Sequence, residues 1–273
     1  MRNGTTSNVE TITPEKASEY LGLVIENNRH EIPPAMSDYA ADMKAGRWKL
    51  NGETIKFNSN GEIIDGANRL RACIKAGVDF TTVVVRGIES RGTFATIDTG
   101  RPRTLAHIIT MHKEKNAKGC AALVSALLMY EKGWAPHQGG SGMTRVQEET
   151  FFLKNAASIR ISVEWSSTIS HRCKLLTPRE FAFLKHSLSK IDEETATGFL
   201  DTFASGANIG KDDPVFILRK RMEKNMTDIT KLSSVTKLAF GIKAWNATRT
   251  GEAIRCMKWS RYGKNREDFP VPV

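Results

Sequence analysis

Asp65, Gly66, Asn68, Arg69 and Arg71 fall within seven consecutive positions of the run Ile63-Ile64-Asp65-Gly66-Ala67-Asn68-Arg69-Leu70-Arg71-Ala72-Cys73. A carboxylate, an amide and two guanidinium groups around one glycine could make a phosphate cradle. Glycine lets the backbone approach an anion with no Cβ in the way. A guanidinium holds two phosphate oxygens at once. Asp65 could hold a metal-bound water, or it could cap the following helix. The elements that must position these groups are legible. Ile63-Ile64 ends a strand, Asp65-Gly66 turns, and Leu70, Ala72, Cys73, Ile74 and Ala76 recur at helical spacing. Asn68, Arg69 and Arg71 therefore enter the first turn of a helix. Such a start offers unpaired N–H groups to anions. Two arginines there oppose the helix dipole unless an anion or an acid sits nearby.

Three further groupings could carry chemistry. In Ile97-Asp98-Thr99-Gly100-Arg101-Pro102-Arg103-Thr104, the stiff Arg101-Pro102-Arg103 could clamp phosphate or a nucleic-acid backbone. Alternatively, Asp98 pairs with one of these arginines. In Gly46-Arg47-Trp48-Lys49-Leu50-Asn51-Gly52, Arg47, Trp48 and Lys49 could stack a base and hold phosphates. More often such a Trp is a core anchor under a turn, and that is the favoured role of Trp48. Residues 211–273 hold 14 Lys/Arg against 7 Asp/Glu, with Arg255, Lys258, Trp259, Arg261 and Tyr262 interleaving cations and rings. That composition suits a DNA-backbone face, and a solvated surface is the competing reading. His107 and His112 stand five apart, so they do not share a helical face, and no metal site is indicated. No phosphate-binding loop of the Walker type is present.

Charge separates the chain into two parts. Residues 1–100 carry 12 Lys/Arg and 13 Asp/Glu, so the net +10 of the 273-residue chain arises entirely beyond them. A basic part joined to a neutral part suggests a polyanionic partner, most simply DNA or RNA. Apolar residues make up 40% and charged residues 26%. No run approaches the roughly 18 apolar residues of a membrane helix, so no membrane partner is expected. Residues 1–8 lack an apolar core, which argues against a secretory leader and for a cytoplasmic protein. Cys73, Cys120, Cys173 and Cys256 are isolated, as buried reduced thiols would be.

Patterning predicts a disordered tail over residues 1–8 and a strand over Val9–Thr13. A helix capped at Thr13-Pro14 should run to about Glu26. A second, opened by Pro33-Pro34, should end at Gly46. A hairpin should join Thr54–Phe57 to Glu62–Ile64, followed by the helix after Asp65 and a central strand over Phe80–Arg86. The expected class is α+β: a small mixed sheet with helices over residues 9–110, then a mostly helical, basic domain over 111–273. Its helices are expected near 145–155, 157–169, 178–188, 192–203, 214–224 and 231–249, behind a Gly-rich loop at 133–142.

The run Asp65-Gly66-Ala67-Asn68-Arg69-Leu70-Arg71-Ala72 resembles the Asp-Gly-x-x-Arg motif of the ParB/sulfiredoxin superfamily. The blocks Tyr39–Trp48, Asn51–Phe57, Val83–Ile88 and Phe94–Thr104 resemble ParB-like proteins that phages and mobile elements encode. The likeness covers roughly residues 8–110. It implies the phosphates of a nucleoside triphosphate, CTP or ATP with Mg²⁺, against Gly66, Arg69 and Arg71, with Arg101 and Arg103 completing the pocket. Asp65 and Asn68 become the candidate catalytic residues, although Asn68 stands where many relatives have His, Arg or Gln. A DNA partner and a homodimer fit the same likeness. Members of the fold include NTPases and nucleases, so a metal-dependent nuclease held by Asp65, Glu53 and Asp98 is the alternative. A module that inhibits a host protein is a third reading.

Overall fold

The computed structural model describes residues 4–24, 33–89, 103–136, 141–264 and 266–273. They form two compact units, 1–102 and 103–273. The division falls before the expected position at 110, because Leu105 and Ile109 enter the core of the helical unit.

The N-terminal unit runs β1 (Thr6–Ile12), α1 (Pro14–Leu21), α2 (Pro33–Lys44), β2 (Thr54–Asn58), β3 (Ile63–Asp65), α3 (Ala67–Ala76) and β4 (Phe80–Ile88). The sheet order is β1-β4-β2-β3, with β4 antiparallel to β1 and parallel to β2, and β2 antiparallel to β3. β4 is interior, as its β-branched run predicts. Two expectations are corrected. β1 begins at Thr6, inside the stretch read as a tail, because Thr6 to Asn8 pair with Arg86 to Val84. α1 ends at Leu21, not near Glu26, with Gly22 as its C-cap. Ile12, Ile55, Ile63, Leu70 and Val84 are fully buried and make the core under α1 and α3.

The second unit is helical among the described residues: α4 (Leu105–Met111), α5 (Ala117–Glu131), α6 (Arg145–Arg172), α7 (Pro178–Ser189), α8 (Glu193–Ser205), α9 (Pro214–Thr227) and α10 (Ser234–Thr250). Where two helices were expected over 145–169, α6 is continuous. No Gly or Pro interrupts it, and Asn155 donates to the Phe151 carbonyl, which keeps it within the helical pattern. Residues 180–188 of α7 are buried on every face, which marks the central helix. α10 lies close against it, since a Cβ on Gly241 would come within 2.8 Å of Leu184 Cδ1. Beyond α10 the chain is irregular but fastened. Trp245 Nε1 donates to the Val273 carbonyl at 3.0 Å, and Asn246 bonds both Val271 and Val273.

His186 lies inside α7, and burial together with the nearby Lys190 charge pushes its imidazole down to about 4. An exposed histidine titrates near 6.5, so between these values the unfolded chain binds the extra proton. The stability this group supplies is complete above pH 6.5 and drains away as pH falls towards 4. His186→Gln should flatten that part of the stability curve, read as urea midpoints across the window. Parallel curves for the two proteins would refute the assignment.

Candidate functional site

The start of α3 differs from those of α1 and α4–α10. Side chains of Thr13, Thr104, Asn116, Thr144, Thr177, Asp192, Asp213 and Ser233 cap α1 and α4–α10. At α3 the N-cap is Gly66, at φ 100° and ψ 0°, and no side chain caps it. Glycine is required there: the backbone is left-handed, and a Cβ would sit 3.1 Å from Ile55 Cα and 3.2 Å from the Thr54 carbonyl. The turn is thereby pressed onto β2.

Arg69 holds it there. The residue is 8% exposed. Its Nη2 donates to the Thr54 carbonyl at 2.5 Å and to Asp65 Oδ1 at 3.3 Å, and Nη1 donates to Glu53 Oε2 at 3.1 Å. The other oxygen of Asp65 accepts from Lys56 Nζ at 2.6 Å. Asp65 therefore neutralises the guanidinium and does not cap the helix. The acid anticipated to offset the arginines comes from within the unit. Buried polar atoms of this turn without a hydrogen bond include Asn68 Oδ1, an acceptor, and Arg69 Nε, a donor. The structure brings Asp65, Gly66, Asn68, Arg69 and Arg71 to one helix start, with Arg71 half-buried. Lys56 and Glu53 join them. Lys56 was foreseeable as the cross-strand neighbour of Asp65. Glu53, a candidate metal-holding acid beside Asp65 in the sequence, here accepts from Arg69 through its carboxylate.

The remaining residues distribute differently. Arg101 and Asp98 lie outside the described residues, and Arg103 is exposed in the second unit. Arg47 pairs with Asp42 at 2.9 Å. Trp48 packs edge-on between Tyr39 and Phe80, at 5.5 and 5.8 Å, so its ring is a core anchor and not a platform for a base. Lys49 is exposed. Trp259 is likewise an anchor: its Nε1 donates to the Asp268 carbonyl at 2.9 Å and its ring meets Phe269 at 5.9 Å. Around this anchor Arg255, Lys258, Arg261, Lys264 and Arg266 are all exposed and form no ion pair with a described residue. Arg261 lies over Tyr262, itself 74% exposed.

One charged cluster escaped sequence reading. Glu10 accepts from Arg86, from Lys16 Nζ at 2.8 Å and from the Tyr20 hydroxyl at 3.1 Å. Burial pushes its carboxyl up, but the bonds from Arg86 and Lys16 outweigh this and hold it at about 2. The partners are 76 positions apart at the widest, beyond any local pattern. Among the described residues no three His, Cys, Asp or Glu converge as metal ligands, and no helix is long and apolar enough to cross a membrane.

Comparison of the chain with models of known protein families, with curated proteins and with solved structures gives no match in any of the three.

Proposed function

We propose that this chain is a ParB-like DNA-binding protein with a nucleotide-binding N-terminal unit. The observation that carries the reading is the cluster Arg255, Lys258, Arg261, Lys264 and Arg266, exposed and without ion pairs on a segment anchored by Trp259. Like charges gathered on a fastened, irregular segment repel one another, and a phosphate backbone relieves that repulsion. Residues 1–102 hold 13 Lys/Arg and 13 Asp/Glu, so the whole excess of +10 belongs to the unit that carries this segment.

The nucleotide half rests on the resemblance and on the uncapped start of α3, with CTP the first expected ligand and ATP the second. In this reading the first-turn amides and Arg71 face the phosphates, and the Asn68 carbonyl oxygen accepts a ligand N–H or O–H. Arg69 is a positioning residue that sets the turn against β2 through Thr54 and Asp65.

DNA affinity should fall steeply with salt. Substituting Arg255, Lys258 and Arg261 together by glutamine should lower the slope of log K against log salt by about 2–3. Fluorescence anisotropy on a duplex measures both. A slope unchanged by the triple substitution would remove this segment from the interface. For the nucleotide, melting temperatures with CTP, ATP, GTP and UTP plus Mg²⁺ should rise for one triphosphate and not in Asn68→Ala. No rise at millimolar ligand would retire the nucleotide half and leave the DNA half standing.

A further inference from the structure

A cleft of about 620 Å³ opens in the N-terminal unit, away from the start of α3. Tyr20, Leu23 and Phe57 supply apolar wall, Thr6 and Ser59 supply hydroxyls, and Arg86 is the one charged residue among the described residues of the lining. The volume lies within the range of small-molecule sites, and an apolar wall with few polar groups is their usual chemistry.

Arg86 is held firmly and incompletely used. Its Nη1 donates to Glu10 and its Nη2 to the Tyr20 hydroxyl, at 2.8 Å for the latter. The guanidinium lies 5.0 Å from the Phe57 ring centre and 6.0 Å from that of Tyr20. A guanidinium carries five N–H donors. Two are bonded here, which leaves three, and the side chain is 38% exposed. Its counter-ion Glu10, which also binds Lys16, is not among the lining residues. Asn58 is buried and largely engaged: its amide donates to Glu62 and its carbonyl accepts from the backbone of Asn60 and Glu62. Among the described residues the lining therefore offers a pre-oriented cation beside aromatic rings, with no carboxylate to repel an anion.

We propose that this cleft binds a small aromatic carboxylate, its ring against Tyr20, Phe57 and Leu23 and its carboxylate on the unused donors of Arg86. Planar fork and planar acid match in two parallel N–H···O bonds, while the ring gains apolar contact that a plain carboxylate lacks.

Benzoate is the probe, titrated into the full chain and followed by the Arg86 Nε–H and Tyr20 ring resonances. Saturable shifts are expected. Benzamide, without the charge, and acetate, without the ring, should each bind at least tenfold more weakly. Arg86→Gln should weaken benzoate at least tenfold. Because that change also disturbs Glu10, Ser59→Trp provides a second route. It fills the cleft from an exposed turn position and should abolish the shifts while leaving the melting temperature in place. Asn68→Ala should leave benzoate binding unaltered, which separates this site from the nucleotide reading. Equal binding of benzoate and acetate, or shifts that persist in Ser59→Trp, would overturn the proposal and leave Arg86 as a tie between β1, α1 and β4.

Discussion

Trp245→Ala should cost about 4 kcal/mol of folding stability, the scale for deleting a fully buried indole. Trp245 is fully buried, meets Phe199 edge-on at 5.7 Å, carries the Arg249 guanidinium 5.3 Å above its ring and bonds the Val273 carbonyl. The substitution therefore opens a cavity beside α8 and releases the end of the irregular segment. Trp245→Phe separates these effects. It keeps most of the volume and loses the hydrogen bond, so a smaller loss of about 1–2 kcal/mol is expected. Urea unfolding of the three proteins measures both. If Trp245→Ala lost no more than Trp245→Phe, the packing assignment would be wrong. The consequence reaches function, because the cationic residues 255–266 hang between α10 and this fastening. On the proposed DNA-binding reading, Trp245→Phe should therefore weaken DNA binding more than its modest stability loss suggests.

Arg69→Met is the second large effect, about 3 kcal/mol, the lower end for breaking a buried ion pair. Most of it comes from the Thr54 carbonyl and Asp65, which lose their donor in a buried setting. Glu53 contributes little, since its side chain is 60% exposed and such pairs are screened. Arg69→Lys should recover only part of the loss, because one ammonium cannot reproduce a planar fork reaching three acceptors. Chemical denaturation checks the order wild type, lysine, methionine. A methionine variant as stable as wild type would free Arg69 for a ligand role. The expected order has a practical consequence: loss of ligand binding on changing Arg69 reports the fold as much as the pocket, whereas Asn68 and Arg71 report the pocket.

Local chemistry made much of the fold legible. Thr13-Pro14, Thr177-Pro178 and Asp213-Pro214 each place a capping oxygen before a proline, and each opens a helix. The β-branched run from Phe80 forms the interior strand. Errors arose where a distant partner overrules the local pattern. Thr6, Ser7 and Asn8 look like tail but find hydrogen bonds on β4. The helix expected to end at residue 155 instead runs on to Arg172, since neither Gly nor Pro interrupts α6. Trp48, whose favoured role is that of a core anchor, packs against Tyr39 and Phe80, and Trp259 packs against Phe269.

By itself the sequence determined the α+β class, the element order of the N-terminal unit, the glycine turn at residue 66 and the confinement of excess positive charge to the later part of the chain. These follow from short-range rules: side-chain period, capping oxygens, φ freedom and the sum of charges. Tertiary structure alone decided what each charged group does. Asp65 and Glu53 meet Arg69, Lys56 meets Asp65, and Glu10 meets Arg86, only because strands bring residues up to 76 positions apart into contact. A guanidinium reads the same in sequence whether it faces solvent, a phosphate or an internal carboxylate. Burial and the nearest acceptor separate these states, and both are set by the packing of the whole unit.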